Sequence, residues 1–267
     1  MKFKKLLSLT LVGIISGSLL IGCSKASGEA DNNIKVGASV TPHAEILEAA
    51  KPLLEKKGYK LEIVEFDDYV LPNTSLAEGE LDANFFQHIP YLEQMNEEKN
   101  LNLTYTAKVL IAPIGVYSEK YKSLDELKDG AKISVPNDAT NETRALKLLA
   151  DNKIIEVAQK ELLTAKDITK NPKNIEIVEV EAAQVPSTLQ DVDYAVINSN
   201  FALNVKLNPK KDAIAIESSD SPYVNVLACR QEDKESEKIK VLGEVLNSDE
   251  IRSFIEEKYE GSIIPTF

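Results

Sequence analysis

From Ile34 onward, short runs of strand character alternate with stretches whose apolar residues recur at helical spacing. This alternation restricts the chain to the α/β class. Residues 34–38 read as a strand. Thr41 then reads as a helix cap and Pro42 as a first-turn residue, and Ile46, Leu47, Ala49, Ala50, Leu53 and Leu54 form an apolar stripe that ends at Gly58. Residues 61–66 and 81–85 supply further strands, with a short helix near residues 75–78. Short strands separated by helices imply a mainly parallel sheet with crossover helices. Residues 103–117 are apolar and β-branched, but Pro113 lacks the N–H that a central strand needs. The run is therefore expected to leave one domain and enter another. The second half repeats the logic, with strands at 132–135, 175–180 and 194–197 and helices at 140–149 and 184–189. The chain is then expected to cross back through residues 224–228 and to finish with helices near 235–246 and 249–259. Two α/β lobes joined by two hinge crossovers result, with a closable ligand cleft between them.

The N-terminus points to export. Lys2, Lys4 and Lys5 precede an uncharged, mostly apolar run over residues 6–22 that ends at Cys23. The run is shorter than the roughly 20 residues of a spanning helix, and a small, polar tether follows it. The layout is that of a secretory signal, and Leu20, Ile21 and Gly22 before Cys23 resemble the lipobox that a bacterial signal peptidase cleaves. Cys23 then becomes a diacylglyceryl-modified N-terminus. Removing residues 1–22 takes away three lysines and no acids, which leaves 28 basic and 43 acidic side chains, a net charge of −15. Nucleic acid and anionic headgroups repel such a surface, so residence at the membrane requires the fatty chains on Cys23. The second cysteine, Cys229, has no partner for a disulfide and reads as a small core residue in a buried strand.

The inventory for catalysis is poor. No nucleophile elbow, zinc-protease helix, phosphate loop or Cys-x-x-Cys is present. His43 and His88 are the only histidines, and His43 falls on the apolar stripe of its helix, where it reads as a satisfied, half-buried side chain. The expectation is a binding protein without cofactor or resident metal. Residues 82–91 are the densest site candidate, because a strand running into a helix start concentrates Phe85, Phe86, His88 and Tyr91 there. One of the two phenylalanines is expected to face the core, since adjacent strand residues point to opposite sides. Residues 66–73, with Tyr69, form a second aromatic turn after a strand. The chain keeps only three arginines, Arg144, Arg230 and Arg252, and in a lysine-rich sequence a retained arginine suits a bidentate task. Arg144 follows Asn141 near a helix N-terminus, where free N–H groups also favour an anion. Arg144 reads as the grip for a carboxylate, against a surface ion pair with Glu142 or another acid. Asn198 and Asn225 can offer amide oxygens to an ammonium group or cap turns.

These segments, together with Asn171-Pro172-Lys173-Asn174 and Ser221-Pro222-Tyr223-Val224-Asn225, resemble the MetQ/NlpA family of methionine-binding lipoproteins over nearly all of the mature chain. The resemblance implies a two-lobed periplasmic-binding-protein-like fold (type II). It also implies a partner ABC importer built of a permease and an ATPase, and L-methionine as cargo. A methionine-containing dipeptide, another amino acid or a metal are the alternatives. By position, Tyr69, Phe85, Phe86, His88 and Tyr91 line the pocket for a thioether, Arg144 binds the carboxylate, and Asn141, Asn198 and Asn225 complete the polar grip. The expected organisation is a signal peptide over 1–22, a tether over 23–32, one lobe from 33–112 plus 228–267, and a second from 113–227. The mature protein is expected as a monomer, lipid-anchored on the extracytoplasmic face of the cell membrane.

Overall fold

The structure, a computed structural model, describes residues 32–267. The signal segment, Cys23 and the tether up to residue 31 lie outside the described residues. No helix among the described residues is long and apolar enough to cross a membrane.

Two mixed sheets carry the fold. The first holds β1 (Asn33–Ser39), β2 (Lys60–Phe66), β3 (Ala83–His88), β4 (Leu103–Ile111), β12 (Val224–Arg230) and β13 (Ile264–Pro265), in the order β13-β4-β12-β3-β1-β2. The second holds β5 (Gly115–Tyr117), β6 (Lys132–Pro136), β9 (Glu176–Val180), β10 (Tyr194–Ile197) and β11 (Ala215–Ile216), in the order β11-β5-β10-β6-β9. A small hairpin, β7 (Glu156–Val157) with β8 (Ile168–Lys170), stands apart. Helices α1 (Glu45–Lys56), α6 (Glu237–Leu246) and α7 (Asp249–Tyr259) bury their apolar stripes in the core of the first sheet. Helix α4 (Ala139–Asp151) does the same for the second.

The expectation of mainly parallel sheets holds only for the strands joined by helices. β1 pairs in parallel with β2 and β3, and β6 with β9 and β10. The strands next to the passages between sheets run antiparallel: β12 against β3 and β4, and β5 against β10 and β11. A strand that enters from the other lobe needs no crossover helix, so its direction is free of the right-handed βαβ constraint. Pro113 lies between β4 and β5, where the chain leaves the first sheet for the second. The return comes before Val224, since residues 224–230 pair along their whole length with β4.

The start of the first helix also departs from expectation. Thr41 has an extended backbone (φ −129°, ψ 136°), a wide turn occupies Val40–Ala44, and α1 begins at Glu45. Thr41 is no cap, and His43 is carried inward in that turn. The short helix expected near 75–78 is α2 (Leu71–Ala77), and the helix expected at 184–189 is a 3-10 turn, Ala182–Thr188, with Pro186 inside it. α3 (Ile89–Lys99) follows β3 directly, and α5 (Ser199–Asn204) follows β10. Cys229 is fully buried.

Candidate ligand-binding site

β3 ends where α3 begins, and His88 sits at the junction. Its Nδ1 accepts the backbone N–H of Tyr91 at 3.1 Å and so caps α3. That contact leaves the proton on Nε2, which donates to Asn141 Oδ1 at 3.2 Å across the gap between lobes. Asn141 is held in turn. Its Nδ2 donates to both carboxylate oxygens of Asp138 at 3.0 Å, and its Oδ1 also accepts from Asn198 Nδ2 at 2.8 Å. Every polar position of the Asn141 amide is thereby used, so this residue orients His88 and Asn198. Asn198 is left with a buried Oδ1 that has no hydrogen-bond partner in the chain. A buried unpaired acceptor costs about 1–3 kcal/mol, and a donor supplied by a ligand removes that cost.

Asp138 changes the reading of the α4 N-terminus. Its carboxylate caps the helix by accepting the Asn141 N–H at 3.0 Å. The seat expected to suit an external anion is already filled by an internal one. Arg144, one helical turn further on, is buried at 3 % exposure and stacks on Tyr223 with 4.7 Å from Cζ to the ring centroid. Its bidentate edge is turned to Glu217: Nε donates to Oε1 at 2.8 Å and Nη2 to Oε2. Nη2 also donates to the Ala112 carbonyl at 2.8 Å. An ion pair therefore does form at Arg144, but a buried one, with an acid 73 residues further along. Among the described residues Nη1 has no hydrogen-bond partner, and it is the donor Arg144 retains for a ligand.

Opposite lies an aromatic wall. Tyr69 and Phe86 have ring centroids 5.9 Å apart, Tyr69 and Tyr91 5.7 Å, and Phe86 and Tyr91 6.1 Å. Both phenol hydroxyls are committed inside the protein: Tyr91 donates to the Tyr69 carbonyl at 3.0 Å, and Tyr69 to Asn200 Oδ1 at 2.6 Å across the gap. What these tyrosines present to the pocket is ring, an apolar and polarisable surface.

The pocket so formed is small and gathers Tyr69, Phe86, His88, Tyr91, Asn141, Arg144, Asn198 and Asn225. Phe85 is the exception among the sequence-derived candidates. It is fully buried in the core of the first sheet, edge-on to His43 at 4.6 Å. The strand's alternation sends one phenylalanine each way, and Phe85 is the one facing α1. Five further residues line the pocket: His43, Gln87, Ala112, Ser199 and Asn200. His43 is fully rather than half buried, between Ser39 Oγ (2.6 Å from Nδ1) and Asn225 Oδ1 (2.9 Å from Nε2). It fixes the Asn225 amide. Gln87 is held by a closed amide cluster with Asn73 and Asn84, at 2.6–2.9 Å. The repeat Asn198-x-Asn200 across the start of α5 was the one available signal for Asn200. No cluster of three or more potential metal-binding side chains occurs among the described residues.

Residues 34–267 match the family model described as NlpA lipoprotein. The chain belongs to the NlpA lipoprotein family. Within the NlpA family it is 43 % identical over 271 residues to the methionine-binding lipoprotein MetQ of Bacillus subtilis, with 98 % of each chain covered. It is 42 % identical over 269 residues to the D-methionine-binding lipoprotein MetQ of Salmonella typhi, again over 98 % of each chain. A nutrient-binding protein from Burkholderia cenocepacia, solved bound to methionine, superposes with a TM-score of 0.86 at 43 % identity, covering 88 % of this chain and 100 % of that one. The NlpA-family fold is thus the two-lobed α/β architecture of periplasmic binding proteins.

Burial shapes the electrostatics of this NlpA-family pocket. Desolvation holds His43 down to about 4 against its Asn225 contact, and desolvation with the nearby Arg144 charge holds His88 down to about 3. Both imidazoles are neutral at physiological pH. A histidine free to protonate near 6.5 when unfolded but not when folded stabilises the fold above that pH, and the stability is lost as pH falls. Burial and Glu179 push Glu142 up to about 8, which acts in the opposite sense, so the two histidines are expected to add a downward slope to urea midpoints from pH 6.5 to pH 5. The slope is expected to be shallower in a His88→Gln variant. Equal slopes in both proteins would contradict this assignment.

Proposed function

We propose that this chain is an extracytoplasmic solute-binding lipoprotein that captures L-methionine in the cleft between its lobes and delivers it to an ABC importer. The carrying observation is a pocket with two unlike ends. A free guanidinium edge of Arg144 and the unpaired Asn198 Oδ1 stand at one end, and a wall of ring surface at the other. In this reading the ligand carboxylate meets Arg144 Nη1, its ammonium meets the amide oxygens of Asn198 and Asn225, and its thioether lies against Tyr69, Phe86, His88 and Tyr91. The relatives' names and the methionine-bound neighbour support the same cargo. The enclosed space is small, which favours a single amino acid over a dipeptide. The arrangement is that of a binding protein: Ser39, whose hydroxyl meets His43, is not among the residues that line the pocket.

Magnitudes explain why both ends are needed. Burying a methionine side chain yields about 1.5–3 kcal/mol, and sulfur–ring contacts add about 0.3–1.5. Micromolar affinity needs about 8 kcal/mol. The zwitterion contacts supply the remainder, and they do so because lobe closure removes water from them.

The proposal extends to the whole chain. Residues 1–22 direct export and are removed, Cys23 carries the lipid, and residues 23–32 tether a monomer to the outer face of the membrane. The lobes hinge at the two passages, near 112–114 and 217–223. The test is calorimetry on the full-length lipoprotein in detergent, stripped of bound solute by unfolding and refolding. Titration with L-methionine is expected to give a dissociation constant of about 1 μM or tighter. Absence of heat with refolded protein would falsify the cargo. Mass spectrometry of the solute released on first unfolding then identifies what the pocket holds instead.

A further inference from the structure

Arg144 is the only charged side chain that lines the pocket, yet it does not reach the pocket as a free cation. Glu217 takes two of its N–H donors from behind, and the pair is deeply placed, with side-chain exposures of 2 % for Arg144 and 13 % for Glu217. Glu217 cannot swing away easily. Its Oε2 accepts the Ile114 N–H at 3.3 Å, and its own backbone N–H donates to the Ile114 carbonyl at 3.0 Å. Ala112, Ile114 and Glu217 belong to the two passages between sheets, so the arginine and its counter-ion are gripped by both hinge segments.

We propose that Glu217 is a specificity-determining residue, which neutralises Arg144 from behind and thereby restricts the cleft to ligands that carry a positive charge along with their carboxylate. The inference rests on the amino-acid reading of the pocket given above. A lone buried guanidinium attracts any monoanion that fits. A guanidinium with a fixed counter-ion has little net field, and a second carboxylate on it also meets repulsion from the first, undiminished by water. No acid lines the ammonium end: Asp138 stands behind Asn141, and the amide oxygen of Asn198 is buried and unpaired, a neutral acceptor that contributes no net charge. A zwitterion therefore adds no net charge to the closed cleft. The same skeleton without its ammonium leaves one uncompensated negative charge inside it, and such a charge is costly.

The test uses two ligands of one shape, L-methionine and 4-(methylthio)butanoate, titrated calorimetrically into the full-length lipoprotein in detergent and into its Glu217→Gln and Glu217→Asp variants. The native protein is expected to prefer methionine by about 100-fold or more. Glutamine at 217 is expected to narrow that preference by about tenfold, chiefly by tighter binding of the butanoate, because the buried guanidinium then lacks its counter-ion. Aspartate keeps the charge at the cost of the bidentate geometry, so it is expected to weaken both ligands while holding the preference within about threefold. A Glu217 that merely braces the fold lowers both affinities in parallel in both variants; an unchanged preference in the glutamine variant overturns the proposal. If glutamine prevents folding, the native protein still decides: binding of the butanoate within tenfold of methionine overturns the proposal and leaves the methionine reading intact. Binding of neither ligand sinks both.

Discussion

Replacing Arg144 with alanine is expected to abolish methionine binding and to weaken the fold at the same time. The side chain offers Nη1 to the pocket while it holds Glu217 and the Ala112 carbonyl behind it. Truncation removes the only cation lining the cleft and leaves Glu217 without its partner. Breaking one side of a buried ion pair costs about 3–5 kcal/mol of stability. Loss of the charge-assisted carboxylate contact, in a cleft that can no longer offer another cation, is expected to raise the dissociation constant about 1,000-fold. Calorimetry at millimolar methionine then shows no saturable heat. The two losses separate in the double variant Arg144→Ala with Glu217→Gln. Removal of both charges is expected to restore most of the stability in urea titrations and none of the binding. A folded Arg144→Ala protein that still binds methionine within tenfold of the native affinity would remove the arginine from the site.

The second large effect concerns two adjacent residues with opposite fates. Phe85→Ala is expected to destabilise the protein by about 3–5 kcal/mol, the usual cost of a cavity where a core phenylalanine stood. Its ring is fully buried between α1 and the first sheet and does not line the pocket, which it meets only from behind through His43. Phe86→Ala removes a ring from a small cluster of Tyr69, Tyr91, Met95 and Leu101. A smaller loss of stability is expected there, with methionine bound about tenfold more weakly. Urea midpoints and calorimetric affinities measured on both variants check this. Comparable midpoints with a larger binding loss at Phe85 would reverse the assignment of the two faces.

Much of the fold was legible because it is written in local periodicity. The apolar stripes of α1, α4, α6 and α7 and the strands β1, β2, β6 and β10 are one-dimensional signals, as is the break at Pro113. Parallel or antiparallel pairing is not, since it depends on which strand a distant segment meets; β12 showed this by lying wholly in the first sheet. The site was legible to the extent that rare residue types carry it. Two histidines and three arginines in 267 residues leave few choices, and aromatic clusters after strands stand out. Thr41 misled as a cap because a tertiary demand, the inward placement of His43, overrode a local preference.

The amino-acid order alone settled the class of chain, the family, the alternation of elements and the identity of most groups around the cleft. These follow from spacing and from the scarcity of particular side chains, both properties of neighbours along the chain. Only the tertiary structure decided that Phe85 is core, that Asn141 orients rather than offers, and that Asp138 already fills the helix N-terminus. It alone set Glu217 behind Arg144. Glu217 is one acid among 43, with no motif around it, and a pairing over 73 residues exists only once both hinge segments have brought the two charges together.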